Sequence, residues 1–407
     1  MQLFEPSSQA AQARLAAVRP NEYARTRNSL NGAVSRLSPY LTHGFLSLAD
    51  AFDGVDARHP LDPQHKFVFE LGWRAYFRHV WSHLGDGIHK SLRPGVLPDS
   101  AYRKEIPADV LEARTGIPAI DQAVRELYTV GYVHNHARMW LASYLVHLRK
   151  VHWYTGAQWM LGHLLDGDVA SNHLSWQWVA GTGSSKPYLF NAENVAKFAP
   201  TDWHSPGTVL DTSYETMDKL ARSSKPAINH KDAHYAQSGV EQPARRVLPQ
   251  PEAGWSTPDS ALTLGREVWL LHPWSVVAPQ DRLPADAVLI GVGFDACHAA
   301  MPWSERRWSF VTQGLQGQTE NLWWGSVEQT ALALQTAKSV QWQPDPHIDA
   351  TFNQLRNQLN VTRLISQAPI TPLCLFDPVN VYCRSFSEWW KRTRLSSQST
   401  ELKPHPL

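Results

Sequence analysis

Glu70, Trp73, Arg74 and Phe77 stand at i, i+3, i+4 and i+7, which on a helix gathers a carboxylate, an indole and a guanidinium onto one face. Such groups on an inward face are costly unless polar partners meet them. Two further stripes follow. Asn135, Arg138 and Met139 share a face of 132–140, and Asp168, Asn172 and Trp176 recur at every fourth residue of 166–178. Each alone has an ordinary reading as a surface ion pair beside a packed indole. A buried Arg138 needs a carboxylate, which Asp166 or Asp168 can supply. Together the stripes predict one shared polar cavity, walled by groups that hydrogen-bond, pair charges and stack.

Other signals carry less. Gly181–Pro187 (GTGSSKP) is glycine-rich but lacks the spacing and Lys-Ser/Thr ending of a phosphate loop, so it reads as a helix end. His163 and His173 have no matching Cys or carboxylate cluster and read as solvated or capping histidines rather than metal ligands. Cys297 and His298 are adjacent, so their side chains point apart. Cys297, Cys374 and Cys383 are too few for a disulfide scaffold, which fits a reducing cytoplasm.

The elements that must position these residues follow from periodicity. From Leu3 to about Ala199 apolar residues recur at helical spacing, predicting an all-α domain over 1–199. Residues 200–262 turn to Pro, Ser, Thr, Asp, His and Gln and read as an irregular linker or wrap. Over 263–407, β-like runs (REVWLLHPW, DAVLIGVGF, NLWWGS, KSVQWQ, RLISQAP) alternate with helix-like ones (SERRWSFVTQGLQ, VEQTALALQ, HIDATFNQLRNQL), predicting a smaller α/β, Rossmann-like domain. Lys+Arg 38 against Asp+Glu 37 gives no global field for nucleic acid, but residues 1–199 hold 20 Lys+Arg against 17 Asp+Glu. No stretch approaches a membrane span, and the N-terminus lacks a signal-peptide core, so a cytoplasmic, monomeric chain without membrane contact is expected.

The first half resembles the flavin-binding domain of the DNA photolyase and cryptochrome family. The matching stretches are SRLSPYLTHGFLS (35–47), ELGWRAYFRH (70–79), TGIPAIDQAVRELYTVGYVHNHARM (115–139) and DGDVASNHLSWQWVAGTG (166–183), in the family's order and near its spacing. The resemblance implies FAD as cofactor. Tyr23, Ser35, Arg36, Leu37 and Ser38 match positions that hold the pyrophosphate, with Val34 where the family usually has Thr; Phe67 and Arg74 join the cofactor set. Arg138 and Asp166 look like the family's ion pair beside the isoalloxazine, Asp168 like the residue at the flavin edge, and Asn172 like the residue facing N5. A neutral Asn there adds no charge beside a reduced flavin.

For a substrate, Glu70, Trp73, Arg74, Asn135, Met139 and Trp178 match the family's cyclobutane-dimer pocket, while His136 replaces an Arg often found there. Trp176 and Trp153 match the first two members of an electron-transfer chain; no Trp stands at the third place, where Tyr102 is the nearest redox-capable ring. Arg74, Lys90, Arg93, Arg103, Lys104, Arg149, Lys150 and Lys186 are candidate phosphate contacts. The family's antenna domain ordinarily precedes the flavin domain, whereas here the flavin motifs begin near Met1; the expectation is a chain without that N-terminal domain. Trp303, Trp308, Trp323 and Trp324 either pack a core or stack a second, unidentified antenna chromophore. The implied function is light-dependent repair of pyrimidine dimers in damaged DNA, and its alternative a blue-light photoreceptor that repairs nothing.

Overall fold

A computed structural model describes residues 4–227, 239–242, 244–278, 283, 286–361 and 374–396. Every regular element before residue 227 is helical. Several helices begin on a histidine or aspartate whose side chain accepts from a backbone N–H that has no partner inside the helix. His65 caps Lys66–Leu84, His134 caps Asn135–Ser143, His152 caps Trp153–His163 and Asp168 caps Val169–Ala180. The last of these ends at Gly181, whose φ of 80° is the left-handed conformation that glycine adopts without steric cost, so the glycine-rich run does stop the helix. Among the described residues no helix is long and apolar enough to cross a membrane.

Strands appear in the C-terminal half. A two-residue ribbon pairs β1 (Val247–Leu248) with β4 (Trp303–Ser304) antiparallel. The main sheet holds β2 (Glu267–Leu271), β3 (Val288–Phe294), β5 (Leu322–Gly325) and β6 (Ser339–Trp342) in the order β5-β3-β2-β6, all parallel. Counted along the chain this is 3-2-1-4, the order of a doubly wound sheet, whose direction of winding reverses between β2 and β6. Helices Glu305–Gln316, Val327–Leu334 and Asp349–Val361 alternate with the strands. Four predicted strand runs form strands, and RLISQAP lies outside the described residues.

Burial divides the chain differently from composition. One apolar cluster joins Phe4, Tyr40, Phe45 and Val68 of the helical half to Trp269, Phe294, Trp303 and Phe310 around the sheet. Phe310 lies 5.7 Å from Phe45 between ring centroids, and Gly314 leaves no room for a Cβ beneath Phe45. A second cluster spans Val110 to Met217. Residues 200–262, expected to be irregular, contain a helix, Tyr214–Arg222, that buries Met217 and Ala221; with Leu220 these stand at i, i+3 and i+4, a helical signal that the polar, Pro- and Ser-rich composition around it obscured. Trp303, Trp308 and Trp323 are buried core residues, while Trp324 is half-buried beside Trp308 and Trp255.

Candidate functional site

The three stripes meet. Helices Lys66–Leu84, Asn135–Ser143 and Val169–Ala180, with the loop before Ser38, wall a cavity of about 590 Å³, within the range of roughly 300–1,000 Å³ for small-molecule sites. Tyr23, Ser35, Arg36, Leu37, Ser38 and Phe67 line it. So do Arg74, Arg138, Asp166, Asp168, Asn172 and Trp176, and also Glu70, Trp73, Asn135, Met139 and Trp178. Arg36 holds a positive φ of 52°, which is uncommon for a side chain of its size.

Arg138 grips Asp166 through Nη2, at 2.9 and 2.8 Å from the two carboxylate oxygens, and donates from Nε to the Val133 carbonyl. Ser38 Oγ donates to the same carboxylate at 2.6 Å, so a residue of the N-terminal loop and one of the Asn135–Ser143 helix are tied to one acid. Asn172 donates its amide to the Ala157 carbonyl at 2.8 Å, leaving the side-chain oxygen as the atom it can offer the cavity. Burial, and then the Glu70 carboxylate, raise the Tyr23 phenol above its ordinary range, which keeps its O–H a donor.

Asp168 is held by residues that no sequence pattern joins to it. Arg78 donates to one of its oxygens from Nε at 3.0 Å and Nη2 at 2.7 Å; Arg74 stands at 3.5 Å. Burial alone would raise this carboxyl, but the two guanidiniums hold it well below the usual range. Arg78 also reaches Asp345, just beyond β6, at 2.9 Å, and Asp345 accepts from His347 at 2.6 Å. His347 in turn accepts from the Val169 N–H at 3.0 Å. From below, buried Arg307 donates to the Leu161 and Gly167 carbonyls at 2.9 and 2.7 Å and packs over Trp303. Burial brings its guanidinium down to about 9, while Asp166 and Asp168 pull the other way, and it stays charged at neutral pH. The loop 166–168 is therefore clamped on two sides by the C-terminal half.

Some expected residues lie elsewhere. His136 does not line the cavity: it is buried, bonded to the Asn28 carbonyl at 2.7 Å and the Tyr188 hydroxyl at 3.2 Å, because the first turn of its helix turns it inward. Arg149 and Lys150 are not phosphate contacts. Both are buried, Arg149 against Asp109 and Lys150 on the carbonyls of His147, Leu220 and Ala221. Lys90, Arg93, Arg103, Lys104 and Lys186 are exposed. His163 and His173 are buried, not solvated, and burial lowers both to about 4. Trp153 is buried off the cavity with its indole N–H on Ser91. His152 lies between it and Tyr102, at ring separations of 5.7 and 6.2 Å. Cys297 carries no dyad chemistry; burial pushes its thiol up to about 11.

The comparisons bear on this same region. Residues 67–204 match the family described as the FAD binding domain of DNA photolyase. This helical region is similar to the FAD-binding domain of the DNA photolyase and cryptochrome family. It is 38% identical over 168 residues to a deoxyribodipyrimidine photo-lyase of Streptomyces griseus, covering 40% of this chain and 36% of that one. It is 34% identical over 170 residues to a cryptochrome DASH of Gloeobacter violaceus, covering 40% and 34%. A solved Synechocystis cryptochrome aligns with a TM-score of 0.44 at 28% identity, covering 48% of this chain and 44% of that one. The matches span about a third of the length of these curated relatives. FAD is the cofactor of the photolyase-type domain, and the cavity fits it on two counts. Phe67, Trp73, Phe77 and Trp176 give apolar faces among the polar groups already named, and Ser171 Oγ lines the cavity buried without a hydrogen-bond partner.

Proposed function

We propose that this chain is a light-driven flavoprotein that repairs cyclobutane pyrimidine dimers in DNA. The observation that carries the reading is that the flavin-side residues (Arg138, Asp166, Asn172) and the lesion-side residues (Glu70, Trp73, Asn135, Met139, Trp178) line one cavity. Ser35, Arg36, Ser38 and Tyr23 hold the diphosphate; Arg138 and Asp166 brace the ring system; Asn172 offers an uncharged acceptor. Reduced FAD, when bound and excited by blue light, supplies the electron that opens the dimer and receives it back. Trp73 and the exposed Trp178 offer flat faces to a dimer drawn out of the stack, and Glu70 hydrogen-bonds to its polar edge. Trp176 and Trp153 carry electrons toward the flavin from the protein's exterior.

The second reading, a photoreceptor without repair, draws on two observations. Glu70 already engages Arg27 at 3.2 Å, and Trp73 is already stacked on Phe386. Repair of a synthetic thymine-dimer oligonucleotide by the reduced protein under blue light separates the two. Loss of dimers that needs both light and Glu70, with Glu70→Ala and dark samples inactive, is the expected result. Full FAD content with photoreduction but no repair overturns the enzyme in favour of the photoreceptor.

A further inference from the structure

The residues from Arg384 to Arg394 carry Arg384, Lys391, Arg392 and Arg394 against the single acid Glu388, and all four cations are exposed. Arg392 spends part of its charge on Glu388 at 3.2 Å; no side-chain ion pair is seen among the described residues for Arg384, Lys391 or Arg394. A chain whose formal net charge is +1 has no general excess to account for this density.

The segment is fastened to the cavity wall. The Phe386 ring stacks on Trp73 at 4.2 Å and 11°, and Trp390 lies against Phe69 at 4.5 Å. Gly72 faces the Trp390 ring so closely that a Cβ would sit 2.5 Å from it. Tyr76 donates to the Cys383 carbonyl at 3.3 Å, and the Cys383 N–H donates to His79 at 3.1 Å. These contacts fall at Phe69, Gly72, Trp73, Tyr76 and His79, one stripe of the helix that also carries Glu70 and Arg74. Trp73 belongs to both: it lines the cavity and is stacked on the basic segment.

The patch extends beyond the segment. Exposed Lys66 lies over the Phe69 ring at 5.5 Å. Cations beside aromatic rings, continuous with a cavity that takes an extruded base, suit the phosphates that flank such a base.

We infer that the C-terminal segment Arg384–Arg394, with Lys66, is a phosphate-binding surface that seats the DNA backbone beside the lesion cavity. The inference rests on the repair reading. Phosphate contacts set affinity and register without reading sequence, and each contributes a slope of about 0.9 to the fall of log K with log salt on duplex DNA. The test uses the full FAD-loaded chain and fluorescence anisotropy of labelled duplexes, with and without a thymine dimer, between 50 and 200 mM salt. Arg384→Gln/Lys391→Gln/Arg394→Gln is compared with Lys219→Gln/Arg222→Gln on the Tyr214–Arg222 helix, with FAD absorbance per chain and circular dichroism as checks on folding. The first variant is expected to flatten the slope by about 2 to 3 and to weaken both duplexes by more than tenfold at low salt. The second is expected to match the parent. A parent that binds and a triple variant whose slope stays unchanged overturns this inference alone, as does an equal loss in the Lys219/Arg222 variant. A parent that binds neither duplex overturns the repair reading and this surface with it.

Discussion

Arg78 offers the sharpest test of how the two halves of the chain are joined. Its guanidinium is three-quarters buried and pairs at once with Asp168, beside the cavity, and with Asp345, beyond β6. Arg78→Leu fills similar volume but leaves two carboxylates in low dielectric, with Arg74 at 3.5 Å as the remaining cation on Asp168. Removing one partner of a buried pair costs about 3–5 kcal/mol, and the partial exposure of Arg78 argues for the lower end. At about 2.1 cal/mol/K per residue, a cooperative unit of this chain's size has an unfolding entropy near 0.9 kcal/mol/K, so the melting temperature should fall by roughly 3–4 °C at pH 7. The double variant Arg78→Leu/Asp345→Leu should lose less than the sum of the two single losses, because each single change strands a charge that the double removes. The pH dependence has a definite sign. Burial alone would raise Asp345, but Arg78 and His347 hold it below its ordinary 3.8; its contribution is full above that value and is lost as pH falls through the lower folded one. The gap between parent and Arg78→Leu should therefore narrow in acid. Melts followed by circular dichroism and by flavin release would check this. An Arg78→Leu chain that melts within 1 °C of the parent at pH 7, or single losses that simply add, would refute the clamp.

Two further outcomes follow from the same physics. A Cβ at Gly156 would sit 2.3 Å from the Trp176 ring, so Gly156→Ala must displace that indole; overpacking of this kind costs about 1–3 kcal/mol, and flavin photoreduction should slow several-fold in a flash-photolysis trace. Burial holds His43 and His298 neutral with values down to about 3, and His134 and His147 down to about 4. The unfolded chain protonates these rings below about 6.5 while the folded chain does not, so stability should decline steadily as pH falls from 6.5 toward 4, read as the urea midpoint at each pH.

The cavity was legible because its residues come from three stripes with helical period, each within a dozen residues. The C-terminal sheet was legible for a related reason: β2, β3, β5 and β6 are short apolar runs set between helical ones. What the pattern could not reveal lies across long separations. Arg78 follows Arg74 by one turn and reads as an ordinary solvated charge; only the fold brings Asp345, 267 residues later, to its side. Phe386 looks like a core residue of a short helix, and nothing local says that its ring covers Trp73. His136 and Lys150 were misread for the opposite reason. Their types suggest surface chemistry, yet partners inside the protein satisfy them: backbone carbonyls for both, and the Tyr188 hydroxyl for His136 as well.

On the proposed reading, with a flavin in the cavity that Asp166 and Asp168 line, the clamp on the loop 166–168 would make the flavin's colour a gauge of the other half of the molecule. Asp168 and the Val169 N–H answer to Arg78 and His347, and Gly167 rests on Arg307. Any strain in the sheet, from a substitution at Asp345 or a molecule seated on the α/β half, reaches the cavity wall at Asp168 through two or three hydrogen bonds. Absorption and fluorescence of the bound cofactor would then register events in the α/β half, with no added label.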